Sequence, residues 1–147
     1  MKISIINGPN LNLLGRRQPE VYGSRPFDEY LAALRAARPD VGIDYFQSNS
    51  EGALIDYIQK VGFSGDCDGI VINPGAYAHY SHAIADALRA VPVPAVEVHI
   101  SNIHAREEFR SHSVTAPSCR GVITGLGLEG YRLALDWIIG SRPAATE

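Results

Sequence analysis

The chain has 147 residues, the size of one domain with a sizeable core and too short for two full ones. Apolar residues make up 46% and charged residues 20%, an ordinary globular balance. Thirteen basic residues face sixteen acidic ones, for a formal net charge of -3. That leaves no sequence-wide basic footprint for nucleic acid or an anionic membrane, and neither is expected as a partner.

Only Lys2 and Lys60 are lysines. Imine chemistry needs a desolvated lysine. Lys2 lies at the terminus and Lys60 falls at a solvated position of a helical pattern, so neither is a candidate. Cys67 and Cys119 are far apart and form no CxxC pair. The chain opens directly on an apolar strand-like run with no signal peptide before it, and no apolar stretch approaches a membrane span. A reducing, cytoplasmic setting is the expectation, with both cysteines acting as small buried hydrophobes.

In chain order, five Val/Ile-rich runs read as strands: 3–6, 41–46, 69–72, 95–98 and 121–124. They are mostly continuous rather than alternating, the pattern of strands covered on both faces. Helical spacing lies between and after them. Phe27, Leu31 and Leu34 form one apolar stripe, Leu54, Ile58 and Val61 a second, and Ile84, Leu88 and Val91 a third. Leu128, Tyr131, Leu135 and Ile138 form the last. Alternating strands and helices predict a parallel sheet with helices on both sides. The whole of 1–147 reads as one domain with no repeat or linker, and the tail 141–147 reads as frayed. The polar stretch 7–25 is long for a strand–helix connection, the mark of a functional lid or a disordered segment. The stretch 99–120 is similarly polar.

The loops after the strands carry the chemistry. Asn7, Gly8, Pro9 and Asn10 follow the first strand, and Gln47, Ser48 and Asn49 the second. Asn73, Pro74 and Gly75 follow the third, with Tyr77 and His79 just beyond, and His99, Ser101 and Asn102 follow the fourth. In open α/β sheets ligands bind outside the carboxyl ends of the strands. Any one such loop is equally a set of turn and capping residues. Four together predict a polar, hydroxyl-rich small ligand.

Within this set, His99 is a natural general acid or base, because an imidazole titrates near neutrality. The alternative is a structural histidine capping a turn. Glu97, two residues back on an extended strand, faces the same side and could orient the ring. Arg16, Arg17, Arg106 and Arg110 are the dense guanidinium supply. Arg106 and Arg110, four apart, would share a face on a helical turn, suited to carboxylate recognition or to self-pairing with Glu107 and Glu108. Tyr22 closes the arginine-rich loop. It is a packing residue or, with arginines favouring the phenolate, a base. The five histidines match no zinc spacing and no metal is expected. Gly125–Gly130 spells GxGxxG, but on the last strand and with no following strand to supply a ribose-binding acid. It predicts a tight turn and close helix–strand packing rather than a dinucleotide site.

Taken as ordered motifs, these residues resemble the type II 3-dehydroquinate dehydratases. The resemblance is carried by Asn7-Gly8-Pro9-Asn10-Leu11-Asn12-Leu13-Leu14-Gly15 with Arg17 and 19–23, by Gln47-Ser48-Asn49-Ser50-Glu51-Gly52, and by Ile72-Asn73-Pro74-Gly75-Ala76-Tyr77 with His79. Glu97-Val98-His99-Ile100-Ser101-Asn102-Ile103 with His104, Arg106, Glu107 and Arg110 completes it, and the likeness runs from Lys2 to about Ile139.

The resemblance implies a flavodoxin-like three-layer α/β sandwich with a five-stranded parallel sheet in the order 2-1-3-4-5. It implies a cofactor-free and metal-free lyase of the shikimate pathway that converts 3-dehydroquinate to 3-dehydroshikimate. By motif, Tyr22 is the base, Arg17 holds it as phenolate, and Asn10 stabilises the enolate. His99 is the acid and Glu97 its orienting partner. Asn73, His79, Ile100, Ser101 and Arg110 bind substrate, and 15–25 is the lid. Asp86 matches an acidic position that reaches a neighbouring subunit's site in a dodecamer built as a tetramer of trimers. Gln18 departs from the family's usual glutamate, and Ala78 and Tyr80 from threonines flanking His79. A reading of another class is a non-catalytic flavodoxin-like binding or signalling domain. Signalling would require an acidic cluster at the strand ends, where this chain has Asn, Gln and His. A flavin carrier would require a phosphate-cradling first loop, and Pro9 removes a backbone donor there.

Overall fold

The structure, a computed structural model, describes residues 1–143, so the last four residues of the predicted frayed tail lie outside the described residues. Five strands, β1 (Lys2–Asn7), β2 (Gly42–Gln47), β3 (Gly69–Asn73), β4 (Ala95–His99) and β5 (Gly121–Thr124), form one all-parallel sheet in the order 2-1-3-4-5. The helices are α1 (Pro19–Tyr22), α2 (Phe27–Ala37), α3 (Glu51–Gly62), α4 (His82–Ala90) and α5 (Glu129–Gly140). This is the flavodoxin-like three-layer arrangement.

Side-chain alternation divides the core into two layers. Ile3 and Ile5 of β1, Val71 of β3 and Val96 and Val98 of β4 pack with Phe27, Tyr30, Leu31 and Leu34 of α2 and with Tyr131, Leu135 and Ile138 of α5. Ile6, Ile70, Ile72 and Ala95 project the other way, against Leu54 and Ile58 of α3 and Ile84 and Leu88 of α4. The predicted burial on both faces holds for β1, β3 and β4. It does not hold at the sheet margin, where Gly121 and Val122 of β5 are exposed, because an edge strand is overlapped by fewer helical residues.

Two hydroxyls tie the α3/α4 layer together. Ser50 Oγ caps α3 by accepting from the Ala53 N–H, and Ser81 Oγ caps α4 by accepting from the Ile84 N–H while donating to Glu51 Oε2 at 2.7 Å. The glycine motif behaves as a packing device. A Cβ at Gly130 would stand 3.1 Å from Val98 Cγ1, and the N–H groups of Gly125 and Gly127 donate to the carbonyls of His99 and Ile100.

Four strands run further than the apolar pattern predicts, ending on Asn7, Gln47, Asn73 and His99. The parallel ladder causes the extension, since Asn7 is in register with both Gln47 and Asn73. The chemistry-bearing residues are therefore held by the sheet itself. Gly8 continues the contact: its N–H donates to the Asn73 carbonyl, and a Cβ there would lie 2.4 Å from the Pro74 carbonyl oxygen. Backbone on both sides cannot give way. Gly8→Ala should destabilise the protein by about 1–3 kcal/mol, read as a lower urea midpoint at unchanged slope.

Candidate active site

At the carboxyl end of the sheet, a cavity of ≈ 50 Å³ is lined by Asn10, Arg17, Tyr22, Asn73, His79, His99, Ile100, Ser101, Arg106 and Arg110, together with smaller residues of the same loops. Of the eleven residues predicted for the site, nine line this cavity, and Glu97 and Asp86 do not. Glu97 sits directly behind His99. Asp86 lies apart from the site: it is exposed on α4, pairs with Arg89 at 3.2 Å, and does not line its own chain's cavity.

His99 ends β4, and its Nε2–H donates to Glu97 Oε2 at 2.9 Å, the i, i+2 relation of an extended strand. Glu97 has no exposed surface. Ser113 Oγ donates to its Oε2 at 2.8 Å, and Thr115 Oγ1 donates to Oε1. Burial opposes ionisation of this carboxyl, but the hydrogen bond and charge of His99 and the two hydroxyl donors outweigh it and hold the group below its ordinary value. The bond to this carboxylate fixes the ring and leaves Nδ1 as the ring nitrogen without a protein partner among the described residues.

His79 lies parallel to His99, with ring centroids 6.2 Å apart, and Phe109 meets its edge. Its Nδ1–H donates to the His112 carbonyl at 2.9 Å, which leaves Nε2 as an acceptor. Burial pushes this imidazole below its ordinary value; the His112 carbonyl opposes that, while the charges of His99 and Arg110 add to it. The tether to His112 anchors the ring, with no hydrogen bond to it from Ala78 or Tyr80 among the described residues.

Tyr22 is placed by a short helix that interrupts the polar 7–25 stretch. Pro19 starts α1 at the position proline favours, after Gln18 at φ 40°, and Gly23 at φ 82° ends it. Two arginines stand at the phenol. Arg106 Nη1 donates to Tyr22 Oη at 2.6 Å, whereas Arg17 stands with its guanidinium carbon 5.2 Å from the ring centroid. Arg106 is at the same distance from the ring, so two guanidiniums flank one phenol. Arg106 and Arg110 do not share a helix, as their spacing suggested. Arg106 is extended (φ −114°, ψ −159°) between two 3-10 turns, and Arg110 belongs to the second, where Nε pairs with Glu107 at 2.7 Å. Both still line the same cavity.

The loop after β2 acts as scaffolding. Gln47 Nε2 donates to the Gly8 carbonyl and to Asn49 Oδ1, which also accepts the Asn10 N–H. Asn10 is held in the left-handed region at φ 67°. Ser113 and Thr115 are functional neighbours not foreseen in the sequence, although hydroxyls two apart in an extended segment share one side, and that signal was available.

A larger groove of ≈ 670 Å³ shares Tyr22, Ile100, Ser101 and Arg106 with the cavity, but is otherwise lined by groups such as Arg25, Tyr30 and Glu129, with no imidazole. The two imidazoles, the Tyr22 phenol and the Asn10 and Asn73 amides converge on the smaller space. Among the described residues no three His, Cys, Asp or Glu side chains cluster as a metal site, and no helix is long and apolar enough to cross a membrane.

The carboxyl of Glu97 gives a pH test. Because its folded value is lowered, its contribution to stability is complete above the ordinary value of 4.5 and is lost as pH falls through the lowered one. Thr115→Val removes one of the groups that lower it, so acid unfolding should begin at a higher pH than in the parent. Glu97→Gln should flatten this part of the curve. Urea midpoints measured between neutral and acid pH check both.

Comparison with known proteins agrees with this geometry. The profile of the family described as Dehydroquinase class II matches residues 1–139. The 3-dehydroquinate dehydratase of Lachnoclostridium phytofermentans is 55% identical over 141 residues, covering 95% of this chain and 97% of the relative. That of Thermus thermophilus is 53% identical over 138 residues, covering 92% of each chain. The crystal structure of type II dehydroquinase from Butyrivibrio crossotus superposes with a TM-score of 0.91 at 50% identity, over 95% of this chain and 97% of that one. With its strand order, its polar strand ends and a match over nearly its full length, the chain belongs to the class II dehydroquinase family.

Proposed function

We propose that this site carries out the family's dehydration, of 3-dehydroquinate to 3-dehydroshikimate in the shikimate pathway, by an anti elimination through an enolate. Dehydration of 3-dehydroquinate is the activity of the family to which the chain belongs. The course of the reaction is inferred from the disposition of Tyr22 and His99. Tyr22 packs against the α2/α5 layer. His99, like Glu97, alternates with Val96 and Val98 and so projects toward the α3/α4 layer. A ligand between them meets a base from one side and an acid from the other, which is what an anti elimination requires.

Tyr22, as phenolate, removes the proton from the carbon beside the ketone. The electron pair passes into the carbonyl oxygen, and Asn10 stabilises the resulting enolate through a bound water. When the enolate collapses, the C1 carbon–oxygen bond breaks and His99 delivers its proton to the departing hydroxyl, releasing water and the conjugated enone. Glu97 orients the His99 ring for that step. Arg106 donates to the phenol oxygen and Arg17 stands over the ring face, so both guanidiniums attend the base. Asn73, His79, Ile100 and Ser101 read the substrate's hydroxyls and carboxylate, and Arg110 supplies charge for the latter.

A cavity of ≈ 50 Å³ holds on the order of one or two waters and not a ring acid. The 15–25 segment, which carries Tyr22 over this space, acts as a lid that moves aside for the substrate and returns. Asp86, exposed and absent from its own cavity, fits a role at a neighbouring copy's site in a homo-oligomer, proposed as a dodecamer of four trimers.

Mixing the protein with 3-dehydroquinate in the presence of a chelator should produce the ultraviolet absorbance of the enone, with no loss after borohydride treatment. Tyr22→Phe and His99→Ala should each fold and lose about 10²–10⁴-fold in turnover. Near-parental turnover in either would remove its assigned role. Light scattering of the eluting species tests the assembly.

A further inference from the structure

Tyr131 is the largest fully buried side chain in the protein, and its hydroxyl lies in neither the cavity nor solvent. It reaches from α5 to the carboxyl ends of the two central strands. Tyr131 Oη donates to Asn7 Oδ1 at 2.7 Å and accepts from Asn73 Nδ2 at 3.0 Å. Asn7 and Asn73 are register partners on β1 and β3. Asn73 is a cavity residue, and Asn7 is not.

The directions of these bonds are set by chemistry. The Gly75 backbone N–H, which can only donate, points at Asn73 Oδ1 at 3.1 Å. The Asn73 carbonyl oxygen therefore lies on the Gly75 side and its NH₂ on the Tyr131 side. Tyr131 must then accept there, so its single proton goes to Asn7. The opposite setting of the Asn73 carboxamide would place NH₂ against an N–H and would require Tyr131 to withdraw its proton from Asn7. Both ends of the carboxamide are held, and one N–H of Nδ2 is left for the cavity.

We infer that Tyr131 is a positioning residue, which locks the Asn73 carboxamide so that an N–H donor, and not the carbonyl, serves a substrate oxygen. The inference rests on the reading of Asn73 as a substrate contact. Tyr131 touches no reacting atom and acts only through Asn73. Burial favours the neutral phenol, so the bridge keeps its proton over the working pH range.

The test is a cycle of Tyr131→Phe, Asn73→Ala and the double variant, with KM and kcat measured separately. A phenol serving only the fold would, when removed, lower the fraction of active molecules and so reduce kcat at constant KM. Positioning predicts the reverse: Tyr131→Phe raises KM about tenfold with a smaller change in kcat, and adds nothing to KM in the Asn73→Ala background. If Asn73→Ala raises KM while Tyr131→Phe leaves it unchanged, the role of Tyr131 is overturned and that of Asn73 stands. If Asn73→Ala itself leaves KM unchanged, the substrate contact falls and the inference with it. Asn7→Leu covers the case in which Tyr131→Phe does not fold. It removes the acceptor that aims the Tyr131 proton, and should raise KM at least threefold; an unchanged KM overturns the inference.

Discussion

Placing the charge of Glu97 inside the sheet is the demand around which the carboxyl end of this molecule is arranged. An ionised carboxylate with no exposed surface is unfavourable unless donors surround it. Glu97 receives three: the ring N–H of His99, Ser113 Oγ and Thr115 Oγ1. Those partners explain why the connection from β4 to β5 is long and polar. It must leave the sheet after His99, supply Arg106 and Arg110 to the cavity, and return with two hydroxyls beneath the imidazole. The Val114 N–H bond to the Ala78 carbonyl and the Arg120 N–H bond to the Ala95 carbonyl fasten the returning segment to the loop after β3 and to the start of β4. His79 gains its tether, the His112 carbonyl, from the same passage.

The two halves of the proposed chemistry rest on unlike supports. His99 and Glu97 belong to β4, a fully buried strand with neighbours on both sides, and their positions follow from the ladder. Tyr22 belongs to a four-residue helix with no buried residue, held over the cavity by a guanidinium from another segment. The acid is thus part of the sheet, and the base is brought to it. The positive charge that Arg17, Arg106 and Arg110 concentrate here suits an anionic ligand, and the Arg106 hydrogen bond also ties the tyrosine segment to the site.

Much of this was legible in the sequence because burial writes a strong pattern. Continuous Val/Ile runs marked strands covered on both faces, and the polar residues just beyond them marked the ligand side of a parallel sheet. The Glu97–His99 pair could be read from strand alternation alone. Partners brought together by layer packing could not. Ser113 and Thr115 lie 16 and 18 residues from Glu97, and Tyr131 lies 58 from Asn73. In the sequence Tyr131 is only one more apolar position on the stripe of α5. Both Arg17 and Arg106 were visible as guanidiniums near the site, but the bond to Tyr22 joins residues 84 apart, and no local rule selects between the two. Asp86 shows the same limit from the other side, since its placement on α4 is plain but a neighbour it would serve is not written in one chain.

The left-handed backbone at Gln18 and Gly23, on either side of α1, has a consequence for how such an enzyme would be tuned. Glycine adopts that conformation at little cost, whereas glutamine must be held there. The seated arrangement of Tyr22 is therefore weighted by strain at one joint and by the Arg106 bond at the other end. Turnover at such a site would scale with the fraction of molecules in the seated arrangement. A substitution at position 18 can raise or lower the rate by changing that fraction, with every contact to the ligand left as it was.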